Sequence, residues 1–156
     1  MSQNYVLAMQ QKLAKFPFGN WLFSRTIAAR APYFKTIRPT VLALEEHYCK
    51  VGLKKRKAVH NHIATVLVIA ICNALEMAMG VMAEASVPKH LRWLPKGMTV
   101  DYVAKAETDI VAEAKVSAED WQVGDMFVPV VAKDTNGTVV VSGKIQLWIT
   151  EKKKKA

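Results

Sequence analysis

The chain has 156 residues, of which 51% are hydrophobic and 22% are charged, a balance that fits one folded domain and excludes a disordered chain. The formal net charge is +9; the C-terminal EKKKK supplies +3 of it, and much of the rest lies in KKRK, residues 54–57. This charge fits either solvated segments or attraction of a phosphate-rich ligand, and because no zinc-finger, RNA-binding or helix-turn-helix signature accompanies it, we do not expect nucleic acid as a partner.

Residues 1–35 predict a helical extension in two pieces. Apolar residues recur at helical spacing up to Phe16 and again from Trp21, and the pattern breaks at FPFGN, where Pro17 and Gly19 interrupt it. The segment lacks a basic start followed by an unbroken apolar run and a small-residue cleavage site, so we expect no signal peptide. We expect the two helices to pack on the rest of the chain through their aromatic face.

Residues 36–150 form the predicted main domain, which opens with strand-like sequence. TVLALEEHYCKVGL, directly after Pro39, is rich in β-branched and aromatic residues and predicts two short strands or one bent strand. The GLKKRKAVHNH segment then predicts a polar loop. Cys49 and Cys72 form no disulfide framework and have no metal-ligand spacing, so we expect free thiols, a reducing compartment and a cytoplasmic location.

Thr65–Ala85 predicts one long helix that is apolar on almost every side, and Pro88 follows it as a stop signal. Asn73 and Glu76 interrupt the helix, and its unbroken apolar part, Val66–Cys72, is far shorter than the roughly 20 residues of a membrane span. We therefore expect a helix enclosed by other elements and no membrane span. An amide and a carboxylate are costly to bury in such a helix, which marks both as candidate site residues.

After this helix the pattern changes to period two. MTVDYVAKA and DIVAEAKV alternate, and MFVPVVAKDTNGTVVVSGKIQLWIT predicts two strands joined by a turn at Asn136-Gly137. Pro129 predicts that its strand lies at a sheet edge or carries a bulge. The order of elements predicts an α+β fold in which a curved antiparallel sheet wraps a long central helix, followed by a basic tail at residues 151–156.

This arrangement resembles the hotdog fold, and HNHIATVLVIAICNALEMAMG, residues 60–80, carries the likeness. In the phenylacetate-type acyl-CoA thioesterases an asparagine precedes the central helix, a glycine follows three residues later, and a histidine and two glycines begin the helix. A carboxylate comes nine residues after that histidine, and a glycine four further on. Anchoring on LEMAMG places the carboxylate at Glu76, the glycine at Gly80 and the asparagine at Asn61; the likeness spans roughly Thr36 to Thr150.

The chain departs from this pattern at the start of the helix. The glycine after the asparagine is Ala64, the histidine is Leu67, and the double glycine is Val68-Ile69. In this respect the chain is similar to the uncharacterised thioesterase-like branch of the superfamily, which lacks the histidine–glycine pair. Those glycines normally let the backbone approach the thioester carbonyl, so their absence changes the expected oxyanion-binding geometry.

The resemblance implies hydrolysis of an acyl-CoA thioester to the free acid and coenzyme A. Glu76 is then a general base or nucleophile, and Asn61 orients water or substrate, with a structural role open for each. Asn73 shares a helix face with Glu76 and Gly80, and it is a candidate partner of Glu76 or of the substrate.

The helix N-terminus offers free N–H groups to a developing oxyanion. We expect Thr65 to cap the helix and the backbone of Leu67 and Val68 to donate. The coenzyme A phosphates have four candidate contacts, for which a solvated loop is the alternative: Lys89, His90, Arg92 and Lys96. No metal and no cofactor beyond the coenzyme A part of the substrate is expected, and the resemblance implies a homodimer or a tetramer of two dimers, with Asn61 of one chain facing Glu76 of its neighbour.

Two alternatives stay open. Hotdog dehydratases of hydroxyacyl carrier protein use a histidine fourteen residues before a helical glutamate, the spacing of His62 and Glu76, although Ile63-Ala64 stands where that family has Phe-Pro. The other alternative is an acyl-thioester binding protein without turnover, which the missing histidine and glycines favour.

Overall fold

The computed structural model describes residues 4–153. The helices and strands follow one another in the predicted order: two helices, two strands, one long helix and four strands. The helices are α1 (Tyr5–Leu13), α2 (Gly19–Arg30) and α3 (Val68–Ser86). The strands are β1 (Thr40–Glu45), β2 (Tyr48–Leu53), β3 (Leu91–Tyr102), β4 (Ile110–Lys115), β5 (Gly124–Lys133) and β6 (Val139–Glu151). The ends of the predicted extension and tail, residues 1–3 and 154–156, lie outside the described residues, and the domain limits at 35 and 150 stay predictions.

The six strands form one antiparallel sheet in the order β1-β2-β4-β5-β6-β3. One face of this sheet packs on α3, and the alternating side chains of the strands supply that face. Ala74 and Ala78 of α3 are fully buried, and their small side chains let the strands approach the helix closely. The predicted central helix wrapped by an antiparallel sheet is therefore confirmed.

The bounds and the surroundings of α3 differ from the prediction. The helix begins at Val68 rather than Thr65, because Leu67 is still extended, with φ −63° and ψ 130°. The expectation that it is enclosed on all sides is wrong, since Ile69 is 59% exposed and Glu76 is exposed as well. The reason is that the sheet covers one side and α1 packs only near the C-terminal half, where Asn4 Nδ2 donates to the Glu84 carbonyl at 2.7 Å.

Within residues 4–153, α3 is the one helix that is long and apolar enough to cross a membrane. In its most apolar window, 67% is buried inside the protein. This burial is that of a core helix that fills the curve of the sheet.

The predicted break in the N-terminal extension is confirmed between α1 and α2. Phe18 adopts a left-handed conformation with φ 63°, and Gly19 follows in close contact with the end of α1. A Cβ on Gly19 would lie 1.7 Å from the carbonyl oxygen of Leu13, so no other residue fits there without a backbone shift.

The strands confirm two further predictions and decide between the two forms of a third. The Pro39 segment forms a hairpin of two strands, and the Asn136-Gly137 turn joins β5 to β6, with Gly137 at φ 83°. Pro129 lies in β5, which is a central strand and not an edge, but β5 carries a register shift in its pairing with β6 at Ala132–Lys133, the second form of the prediction. It is tolerated because the pairing of β4 with β5 ends at Val130, so no β4 residue needs a hydrogen bond from position 129.

The two edges of the sheet have different surroundings. At the β1 edge, α2 packs alongside, and the Ser24 hydroxyl accepts a hydrogen bond of 2.7 Å from the backbone N–H of Val41. At the other edge, β3 extends over twelve residues and pairs only with β6. Side chains of β3 that face the helix side are only half-buried, Trp93, Met98 and Val100 among them. The β3 edge is therefore open in the single chain.

Candidate functional site

Glu76 lies on the exposed face of α3 and lines a pocket of about 460 Å³. Gly80, one turn further along the helix, lines the same pocket, so the two positions that match the thioesterase pattern share one cavity. The pocket wall is mainly apolar and comes from three parts of the chain: Val6, Ile27, Ala31 and Phe34 of the N-terminal extension, Met77, Met79 and Val81 of α3, and Trp93 and Pro95 of β3. A carboxylate thus stands beside a largely apolar cavity.

Trp93 of β3 is one of the residues that line this pocket. Its indole Nε1 donates to Glu84 Oε1 at 3.1 Å, which holds the ring against α3. The ring lies 3.6 Å from the place that a Cβ on Gly80 would occupy, so the glycine leaves room between helix and ring. Sequence reasoning missed Trp93 and the wall from the N-terminal extension; the apolar helical spacing of Val6 and Ile27 was the signal that could have found that wall.

Asn61 holds a tight turn before α3. Its Oδ1 accepts from the backbone N–H groups of Ile63 and Thr65, both at 3.1 Å, and its Nδ2 donates to Thr65 Oγ1 at 2.7 Å. Ala64 completes the turn with φ 61°, in the left-handed region that favours glycine. The position at which the thioesterase pattern has a glycine is thus one whose backbone favours glycine, and in this chain an alanine occupies it. One hydrogen on Asn61 Nδ2 remains for a ligand.

The start of α3 corrects two predictions. Thr65 does not cap the helix: it is buried, its hydroxyl accepts from Asn61, and Leu67 occupies the cap position without a side-chain bond. The Leu67 N–H is not free either, because it donates to the Val59 carbonyl at 2.8 Å. Among residues 4–153, the N–H groups of Val68 and Ile69 have no acceptor, as expected for the first turn of a helix. The candidate oxyanion donors are thus Val68 and Ile69.

Asn73 is buried, with 7% of its surface exposed, and its Oδ1 has no hydrogen-bond partner among the described residues. Of the two partners considered for Asn73, Glu76 and the substrate, Glu76 makes no hydrogen bond to it in the described part of the chain. Burying an amide oxygen without a partner costs about 1–3 kcal/mol. Asn73 is therefore a polar group whose partner, if it has one, lies outside the described chain.

His62 is exposed in the Asn61–Thr65 turn, which adjoins a second pocket of about 350 Å³. The connection after β3 closes the other side of that pocket with Tyr102 and Lys105. Glu76 does not line it, and eight residues of helix separate Val68 from Glu76, a rise of about 12 Å. A single chain therefore keeps the carboxylate apart from the Asn61 turn and the helix N-terminus.

The four candidate coenzyme A contacts lie apart from both pockets. Lys89 and His90 are exposed in the turn between α3 and β3. Arg92 Nε donates to Thr150 Oγ1 at 2.8 Å, and Lys96 bonds Asp125 at 2.9 Å, on the face of the sheet that points away from α3. The Lys96 ammonium lowers the pKa of the Asp125 carboxyl below its usual range. The structure does not bring this group to Glu76 or to Asn61.

The cysteines offer no nucleophile. Burial raises the pKa of the Cys49 thiol to about 12 and also raises the pKa of the half-buried Cys72 thiol. Within the described 4–153 range, no three His, Cys, Asp or Glu side chains are grouped as metal ligands would be. The chemistry that the residues support is that of a carboxylate, water and backbone N–H donors.

A family model described as a domain of unknown function (DUF4442) matches residues 19–149 of the chain. No curated protein matches it. Among solved structures, the one reported as the crystal structure of genomics APC5556 is 40% identical, covers 95% of this chain and 99% of that chain, and superposes with a TM-score of 0.83.

Two more distant structures bear on the fold. A Pseudomonas aeruginosa protein of unknown function, described as a probable thioesterase, is 18% identical, covers 88% of this chain and 97% of that chain, and has a TM-score of 0.75. A thioesterase family protein from Silicibacter pomeroyi is 15% identical, with coverages of 83% and 96% and a TM-score of 0.70. At these identities the likeness shows a shared fold.

Proposed function

The chain belongs to the DUF4442 family and has the hotdog fold, and from this premise we propose that it is a cytoplasmic thioesterase that hydrolyses acyl-CoA. One observation carries the proposal: Glu76 stands at an apolar pocket of about 460 Å³ on the central helix. That volume lies within the roughly 300–1,000 Å³ of small-molecule sites. The acyl chain lies in the pocket, and the thioester carbonyl lies at its mouth beside the carboxylate.

Glu76 acts as the general base. Its carboxylate takes a proton from water, the water oxygen bonds to the carbonyl carbon, and the carbonyl electron pair moves onto oxygen. The oxyanion electron pair then re-forms the carbonyl as the carbon–sulfur bond breaks, the free acid forms, and the sulfur takes the proton back from Glu76 and leaves as the coenzyme A thiol. The water supplies every atom gained, so the reaction needs no further reactant.

The oxyanion needs donors that one chain does not bring to Glu76. The N–H groups of Val68 and Ile69 suit this role, yet they lie about 12 Å along the helix from the carboxylate. A homodimer joined at the open β3 edge supplies them from the neighbouring chain, together with Asn61. The exposed apolar side chains of Leu67 and Ile69 beside these donors support a covered interface there.

The pocket favours an apolar acyl group over acetyl. Its wall is aliphatic, aromatic and thioether in character, and its charged members, Glu76, Glu84 and Arg30, are all exposed. Longer aliphatic or aryl acyl groups therefore gain burial that acetyl cannot, at about 0.8 kcal/mol for each methylene group.

The test is free-thiol release from a panel of acyl-CoAs of increasing length. We expect Glu76→Gln to lower kcat by about 10²–10⁴, the usual contribution of a general base. Glu84→Gln is the matched control, since Glu84 lies on the same helix and lines the same pocket; it should change kcat by no more than a few-fold. Equal turnover in wild type and Glu76→Gln would refute the mechanism.

A mixing experiment tests the shared site. Asn61→Ala and Glu76→Gln proteins, each inactive, are unfolded, mixed in equal amounts and refolded together. Heterodimers then carry one intact site, and we expect about a quarter of wild-type activity to return. No recovery from a mixture shown to contain heterodimers would place both residues in one chain's site. An enoyl-thioester product would instead indicate the dehydratase, and binding without any product would indicate a binding protein.

A further inference from the structure

The N-terminal part of the chain has a charge pattern that the proposed catalysis does not use. Residues 1–44 contain six lysines and arginines and no aspartate or glutamate; the first carboxylate side chain is Glu45. The full chain, by contrast, has thirteen acidic residues. A segment of this length with cations alone presents a one-sided positive surface to its surroundings.

Large apolar side chains project from the same segment where α1 turns into α2. Phe16 is 68% exposed, Phe18 is 84% exposed, and Trp21 and Leu22 are each about half exposed. The turn that presents Phe18 is held at φ 63°, a conformation that costs a side chain free energy. Lys15 and Arg25 flank these residues, and the Arg25 guanidinium lies 4.9 Å above the Trp21 ring. We call these six residues the basic aromatic tip: Lys15, Phe16, Phe18, Trp21, Leu22 and Arg25.

A cleft of about 580 Å³ adjoins the tip. Trp21 and Arg25 line it on the α2 side, and Lys35 and Arg38 line it on the other. Among residues 4–153, no carboxylate lines this cleft. Three cations beside an indole ring form a surface suited to phosphate groups next to apolar chains.

None of the six tip residues lines the pocket with Glu76, and the tip lies at the covered edge of the sheet. Asn20, at the start of α2, bonds the Leu42 carbonyl of β1, which places this end of α2 at the β1 edge. The β3 edge is at the opposite end of the six-stranded sheet. A dimer that forms through β3 therefore leaves the tip uncovered.

We propose that the basic aromatic tip docks the protein on an anionic phospholipid surface. Exposed aromatic rings flanked by cations suit the boundary between head groups and acyl chains, where rings enter the apolar layer and cations meet lipid phosphates. A second copy of the tip does not suit this surface, because two such tips bring together cations with no carboxylate between them. The protein binds the surface of the bilayer and does not cross it, and this inference is independent of the thioesterase proposal.

The test is co-sedimentation of the full chain with vesicles of phosphatidylcholine alone and of phosphatidylcholine mixed with phosphatidylglycerol. We expect binding to the anionic vesicles that weakens with added salt, and little binding to the neutral ones. Phe16→Ser with Phe18→Asn should weaken binding on the order of tenfold or more, because apolar burial is lost. Lys15→Gln with Arg25→Gln should weaken it by about fivefold for each charge removed.

The matched control is Phe127→Ser with Lys144→Gln. This pair also joins a half-exposed ring to a lysine 4.9 Å above it, but it lies on the outer face of the sheet. Its binding should equal that of wild type. The proposal is overturned if wild type does not bind anionic vesicles, if it binds neutral ones equally, or if the control weakens binding as much as the tip variants do. Self-association without lipid that the tip variants abolish would instead assign the tip to a second copy.

Discussion

The two edges of the sheet differ in whether the unpaired backbone groups of the edge strand are covered by other parts of the chain. The β1 edge is covered: Ser24 of α2 satisfies the backbone N–H of Val41, and Asn20 donates to the carbonyl of Leu42. The β3 edge has no such cover in one chain, although it is twice as long, twelve residues against six. Long open edges are sites of pairing with another chain. Among the described residues, the extension thus covers the β1 edge and not the β3 edge.

This difference also explains the position of the candidate site. The pocket with Glu76 lies between the N-terminal extension and the open β3 side, and half-buried Trp93 belongs to both. A partner chain at β3 would complete the surroundings of the carboxylate. The proposed dimer and the proposed active site therefore depend on the same open edge, and three variant pairs test this in order of decreasing effect.

The largest effect is expected at the open edge. Met98 of β3 is half-buried on the helix side, and Met98→Glu places an unpaired charge in the proposed dimer contact. Such a charge costs about 3–5 kcal/mol, so the dimer dissociation constant should rise by about 10²–10⁴. Leu42→Glu on β1 is the control, because Leu42 is 44% exposed at the opposite edge. This variant should leave the dimer dissociation constant unchanged. Sedimentation of a dilution series measures both, and equal behaviour of the two variants would contradict assembly through β3.

A moderate effect is expected at the covered edge. Ser24→Ala removes the acceptor of the Val41 N–H, a buried bond of 2.7 Å, and should lower the free energy of unfolding by about 1–3 kcal/mol. Thr26→Ala, two residues along the same helix, loses only an exposed bond to the Leu22 carbonyl and should cost less than about 0.5 kcal/mol. Urea unfolding of both variants checks the difference. Similar costs would show that the hydroxyl of Ser24 does not protect the edge.

The smallest effect is expected in the Asn61–Thr65 turn, which adjoins the end of β3. Ala64→Gly relieves the φ of 61° and should raise the free energy of unfolding by about 0.5–1 kcal/mol. Ala58→Gly, where the backbone φ is not positive, should lower it by a similar amount, since glycine only adds freedom to the unfolded chain. Thermal unfolding of the two variants shows the sign of each change in the free energy of unfolding. A loss of stability in Ala64→Gly would contradict the proposal that Ala64 is strained.

Particular residues show how far sequence reasoning reached. Asn136-Gly137 and FPFGN were predicted as turns and are confirmed, because such signals act over a few residues of backbone. Pro129 predicted either an edge strand or a bulge, and the sequence did not decide between them, because a proline indicates a missing donor and not which neighbouring strand lacks the hydrogen bond. Thr65 was predicted as a cap, yet its hydroxyl bonds Asn61, a competition that spacing alone does not reveal.

For the candidate site, too, some features were predicted from the sequence and others were not. Glu76 and Gly80 were found by their spacing, because residues four apart lie on the same face of a helix. The exposure of Glu76, the wall from Val6 and Ile27, and the separation from Asn61 were not predictable, because each depends on elements that are distant in sequence. The roles of the predicted site residues stay predictions until the variants are measured.

The sequence by itself determined the order of elements, the turns, the central helix and the acid-free N-terminal segment, because periodicity, turn chemistry and charge are local properties. Only the tertiary structure decided which edge is covered, which face of α3 stays open, and which side chains surround Glu76. These outcomes depend on how α2 meets β1 and how far the sheet extends past the helix. Such packing balances many contacts between remote residues, and no single stretch of sequence contains it.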